Sequence, residues 1–171
     1  MKTNKGFSLV ELIIVIAIMA ILVGVMAPQL IKYIEKTNVS ADVQLCDSVR
    51  TAVVLAMSDP EVLSSTDFSL NHINSIMTAT TGRRIDSFSD STVFALAVRE
   101  TLGFNVFDRN EMLTQIKSTP ANEDAIMCIQ GLPGGSGVAV WIDHSDMSGK
   151  KGDYTANEIS DLETAGVIYV E

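Results

Sequence analysis

Leu12 to Ala27 is a run of sixteen residues without a charged side chain, and extending it back to Phe7 adds only Ser8 and Glu11 as polar members. Twenty-one residues of helix rise about 31 Å, which matches a hydrocarbon core of about 30 Å. Lys2 and Lys5 precede the run, a charge bias that keeps the N-terminus on the cytoplasmic side and delivers the rest outside. From Gln29 to Ser58 the pattern changes. Leu30, Ile34, Ala41, Leu45, Val49, Ala52 and Ala56 recur at helical spacing on one face, while Lys32, Glu35, Lys36, Ser40, Asp47 and Thr51 fall elsewhere. This predicts an amphipathic continuation of the apolar helix, ended before Pro60. Pro28 removes the N–H that Gly24 would accept, so Gly24 and Pro28 together mark an expected kink or local melting.

The remaining residues read as a wet body with its own core. Residues 61–123 alternate short apolar clusters with loops rich in Thr, Ser and Asp. Helices are expected over 71–78, over 91–102 with Gly103 as a stop, and from Asp108 to Pro120. In the last of these, Asp108 and Glu111 have capping-box spacing. Strands are expected at 125–129, 138–142 and 167–170, the first two joined by a turn over 132–137. Thr155 and Glu158 would start a short helix before the last strand. Strands following a long half-apolar helix suggest an α+β fold: a long bent N-terminal helix packed on a small antiparallel sheet, with extra short helices between.

Charge and chemistry narrow the classes. The formal net charge is −9, and loss of residues 1–6 would leave Lys+Arg at 10 against 21 acids. An acidic body repels phosphates, so no specific nucleic-acid partner is expected. Arg83-Arg84 and Lys150-Lys151 read as solvated turn charges. Cys46 and Cys128 lack metal-site spacing; they form either one bridge or two small buried thiols. His72 and His144 are isolated and read as solvated, and Trp141 as core. Asp143, Asp146, Asp153, Glu158 and Asp161 are either a plain acidic surface or oxygen donors for calcium, without EF-hand spacing. There is no P-loop or dinucleotide fingerprint, and Gly134-Gly135-Ser136-Gly137 does not fit a nucleophile elbow. No enzymatic activity and no cofactor are expected.

Glu11 is the residue these patterns leave unexplained. A secretory signal peptide cut near Val25-Met26-Ala27 would place Pro28 after the cut. A plain signal anchor gives no reason for a carboxylate in the run, although headgroup depth would lower its cost. Gly6-Phe7-Ser8-Leu9-Val10-Glu11 instead resembles the processing site of class III signal peptides in type IV prepilins: a short basic leader ending in Gly, then Phe, and a Glu fifth after the cut. The resemblance covers about the first thirty residues. In order of elements the body is most like clostridial major pilins, without the two C-terminal cysteines that staple the last loop in many pilins.

That resemblance implies cleavage between Gly6 and Phe7, N-methylation of Phe7, and retention of the apolar helix. The chain then divides into leader 1–6, a transmembrane and filament-core segment 7–28, and a globular pilin domain 29–171. It would be a structural, major subunit of a type IV pilus serving attachment, motility or biofilm formation. The alternative is a minor pilin or a pseudopilin of a type II secretion or DNA-uptake system. Implied partners are copies of itself, a prepilin peptidase and methylase, an assembly ATPase and platform protein, and the cytoplasmic membrane before export to a cell-surface filament. Phe7 and Glu11 would be the assembly residues, because a buried acid–amine pair fixes register between otherwise slippery apolar helices.

Overall fold

The computed structural model describes residues 7–67, 69–78, 82–118, 125–132, 137–143 and 168–170. The leader with Gly6, most of the expected 132–137 turn, His144, Lys150-Lys151, the helix at Thr155 and most of the acidic loop lie outside these residues. The chain divides into two units, Met1–Thr37 and Asn38–Glu171.

Helix α1, Leu9–Met57, runs through both units and contains Pro28. In the first unit every side chain from Phe7 to Ile34 is exposed. Its best 18-residue window has a mean hydropathy of 3.0, long and apolar enough to cross a membrane. The helix continues across Gly24 and Pro28, although the proline cannot donate to the Gly24 carbonyl.

In the second unit the buried residues of α1 are Asp42, Cys46, Val49, Ala52, Val53 and Ala56. The expected stripe is therefore turned by about one residue. Leu30 and Ile34 are exposed, and Ala41 and Leu45 lie at the margin. The stripe opens on a polar residue, Asp42, which is why an apolar pattern misplaces its start. Asp42 is fully buried, and its carboxylate accepts the backbone N–H groups of Lys117 at 2.8 Å and Ser118 at 2.9 Å. A buried carboxylate is tolerated when charge-assisted bonds replace its water. Farther along, Arg50 Nε donates to the Val138 carbonyl at 3.1 Å, tying α1 to the start of a strand.

Three short elements follow. Helix α2, Pro60–Ser64, starts where Pro60 was expected only to stop α1. Proline suits a first helical turn, and Asp59 accepts the Glu61 N–H at 2.8 Å as the cap. Helix α3 is Ser69–Met77. Arg83 and Arg84 are not turn charges; they form the two-residue strand β1, because their backbones pair with β2. Arg84 Nε donates to Asp86 at 2.9 Å, and Arg109 approaches the same carboxylate at 3.8 Å.

Helix α4, Val93–Leu102, has its cap at Thr92 and ends at Gly103, whose φ of 79° is the left-handed conformation that glycine adopts without a Cβ penalty. The start of α4 is tied down from outside. Asp67 accepts the Val93 N–H at 2.7 Å, Ser69 Oγ accepts that of Phe94 at 3.0 Å, and Thr92 Oγ1 accepts that of Ala95 at 3.2 Å. His72 is half-buried beside this corner rather than solvated. Its ring meets Phe88 and Phe94 edge-on at 5.2 and 6.3 Å, and burial lowers its pKa. Helix α5, Arg109–Gln115, starts at the expected cap: Asp108 accepts the Glu111 N–H at 2.9 Å.

Strands β2, Ile126–Gly131, β3, Val138–Asp143, and β4, Ile168–Val170, complete a four-stranded antiparallel sheet in the order β1-β2-β3-β4. One face sends Met127, Ile129, Val140 and Ile142 into the core with Val49, Val53, Phe94 and Met112. Side chains of the opposite parity, Cys128 and Trp141 among them, are buried too, so β2 is buried throughout, Gln130 included, instead of alternating. Two glycines permit close approaches. A Cβ on Gly131 would lie 2.7 Å from the Met77 Cα, and one on Gly82 would meet the Trp141 indole. Cys46 and Cys128 are both buried and free, and burial with the nearby Asp42 charge pushes the Cys46 thiol pKa up.

The carboxylates at these joints set an acid limit. Hydrogen bonds from Ser69, then Val93, hold Asp67 well below the usual carboxylate range, and Arg84 lowers Asp86. A carboxylate with a depressed folded pKa favours the folded state above its unfolded value of about 3.9 and loses that contribution as pH falls below it. The thermal unfolding midpoint of the detergent-solubilised chain is expected to drop as pH is lowered below about 4, and Asp86→Asn should flatten that drop. An equally steep drop in the variant would show that Asp86 does not contribute.

Candidate functional site: the N-terminal helix start

The residues singled out by the sequence sit at the first turn of α1. Phe7 is 94% exposed. Ser8 precedes the helix, and its Oγ accepts the Val10 N–H at 3.3 Å. The Glu11 carboxylate reaches back and accepts the Ser8 N–H at 2.8 Å. Two orphan donors of the helix start are satisfied reciprocally, which is a capping box spelled Ser-x-x-Glu. Sequence reasoning found this spacing at Asp108 but missed it at Ser8. The resemblance to a processing site had already given Glu11 a role between molecules.

The arrangement leaves Glu11 chemically open. An ionised carboxylate has about four lone-pair positions, and the Ser8 N–H uses one. The positive end of the helix dipole also favours a carboxylate here. Beyond Glu11, the exposed side chains of Leu12, Ile13, Ile14 and Val15 begin an apolar surface that continues to Ile34. Gly24 and Pro28 lie within it, and a Cβ on Gly24 would meet nothing within 4 Å. The site therefore offers one carboxylate at the end of a long apolar cylinder. That can pair with a cation and pack against other apolar helices; it has no nucleophile and base in convergent geometry. Among the described residues no group of three or more His, Cys, Asp or Glu is placed to hold a metal ion.

Comparison with known proteins points to the same segment. The profile described as the prokaryotic N-terminal methylation motif matches residues 1–27. A fimbrial protein of Pseudomonas aeruginosa is 39% identical over 66 residues, covering 38% of this chain and 43% of the relative. The type IV major fimbrial protein FimA of Dichelobacter nodosus is 34% identical over 70 residues, covering 41% and 44%. A fimbrial protein of Moraxella nonliquefaciens is 42% identical over 53 residues, covering 31% and 34%. The chain thus spans less than half the length of these curated relatives. No solved structure matches it. A methylation motif opens the apolar helix, and the α+β body with its antiparallel sheet is consistent with a pilin fold. In its N-terminal part the chain is similar to type IV fimbrial proteins.

Proposed function

We propose that the chain is a structural subunit, and most simply the major one, of a type IV pilus, and not an enzyme. The observation that carries this reading is the fully exposed apolar half of α1 beginning at Glu11. A surface of that size is stable only in lipid or against other helices, because leaving apolar area in water costs about 25 cal/mol per Å². A peptidase and methylase act between Gly6 and Phe7; the subunit then waits in the cytoplasmic membrane as a single span with its body outside. An assembly ATPase and platform protein move it into the filament. There the Phe7 amine of one subunit neutralises Glu11 of another and fixes the stagger. The hydrogen bond missing between Gly24 and Pro28 supplies local give during that transfer.

The N-terminal peptide tests the first half of this reading. Mass spectrometry of the native product is expected to find N-methyl-Phe7 as the first residue; a product starting at or beyond Pro28 would remove the stem and the proposal with it. Abundance in sheared surface filaments tests the second half. A major subunit dominates that fraction, whereas a minor pilin or pseudopilin contributes a trace.

A further inference from the structure

The second unit has an unpartnered surface of its own. Leu55 near the end of α1 is 56% exposed, and Leu96 on α4 is 46% exposed. Leu55, Ala56, Asp59, Ala97, Glu100 and Thr101 line one shallow cleft, and Glu100 is shared with an adjoining one formed by Leu96, Arg99 and Gly103. The floor is apolar or small, and the rim carries two acids, Asp59 and Glu100, and one cation, Arg99, which leaves it a net charge of −1. Asp59 is committed to capping α2, while Glu100 on α4 projects into solvent. Such a cleft fits a short apolar segment that brings a cation.

The same chain contains that segment. Leu30, Ile31, Tyr33 and Ile34 are all large, apolar and exposed, and Lys32 stands among them, exposed as well. Among the other exposed cations outside the cleft in the described residues, Arg83 and Lys117 have no comparable run of exposed apolar neighbours, and Lys36 lies just past the end of this one, beside Glu35. We infer that the Leu55–Glu100 cleft of one subunit receives the 30–34 segment of a second copy, with Lys32 paired to Glu100. The inference rests on the filament reading and adds a contact between the body of one subunit and the end of another subunit's apolar stem. A shallow cleft alone is far below the area of about 1,200 Å² that a stable pair needs. It gains strength by repetition along a polymer, where each added subunit is already held by its stem and the contact becomes effectively intramolecular. The solitary chain is therefore not expected to dimerise through it.

Charge reversal tests the pairing. Lys32→Glu and Glu100→Lys are each expected to reduce sheared surface filament by tenfold or more, with the N-methyl-Phe7 form still present in the membrane. The double variant Lys32→Glu/Glu100→Lys should restore filament to within about twofold of the unaltered chain. Single variants that assemble normally, or a double variant no better than either single, would overturn the inference. Filament from the unaltered chain, measured in parallel, separates this outcome from failure of the pilus reading itself. Glu100→Gln serves as a folding control, since it keeps the shape of an exposed side chain and should reduce filament less than the reversal does.

Discussion

Glu11→Ala is expected to leave the leader cut and Phe7 methylated, and to abolish surface filaments. On the proposed reading the peptidase cuts the Gly6–Phe7 bond, four residues before the carboxylate, so processing should lose little. The helix start loses the acceptor for the Ser8 N–H, which costs about 0.5–2 kcal/mol at a frayed and exposed end. The loss between subunits is larger. A Phe7 amine buried among apolar helices without its counter-charge costs about 3–5 kcal/mol, which is a factor of about 10² to 5 × 10³ at each contact. Repetition along a filament makes that prohibitive. Glu11→Gln separates the two contributions, because a glutamine can still accept the Ser8 N–H but carries no charge. If charge pairing governs assembly, the glutamine variant fails like the alanine one. Normal filaments from the glutamine variant, counted by electron microscopy, would show that the helix cap and not the ion pair is what assembly needs.

The second large effect is expected in the body, at Asp42. Asp42→Ala leaves the Ser118 N–H and the partly buried Lys117 N–H without their acceptor. Each unsatisfied buried donor costs about 1–3 kcal/mol, so the variant should lose about 2–5 kcal/mol. For a unit of this size that is a fall of about 8–20 °C in the unfolding midpoint, readable by circular dichroism of the chain in detergent. Asp42→Asn keeps one acceptor oxygen and should lose about half as much. A midpoint within 2–3 °C of the unaltered chain after Asp42→Ala would show that water replaces the carboxylate without cost. Asp42 lies outside residues 1–27, which carry the methylation motif, so any residual folded protein should still be processed at Phe7 on the proposed reading.

The elements announced by local chemistry were readable in advance. The α4 boundaries follow from Thr92 and Gly103, and α5 starts at Asp108, because a cap is a contact between residues two or three apart. Strands β2 and β3 stand out as short apolar runs with β-branched and aromatic residues around a glycine-rich turn. Contacts between distant residues were not readable. Nothing near Asp42 in the chain announces that its partners are Lys117 and Ser118. Nor does anything near Arg83-Arg84 announce a strand, since that assignment depends on Cys128 and Ile129 lying opposite. His72 looked solvated because its aromatic neighbours, Phe88 and Phe94, come from other elements.

By itself the sequence determined the stem. A charge-free run of membrane length, a basic leader and Glu11 behind Gly6-Phe7 specify an apolar helix and its processing signal whatever the body does, because helix and hydropathy are properties of neighbouring residues. Only the tertiary structure decided which side of α1 is the core side, which carboxylates are anchors and which apolar residues remain uncovered. Those depend on which distant backbone N–H groups come within reach of a side chain, and that is fixed when the sheet and the short helices close on the helix, not before.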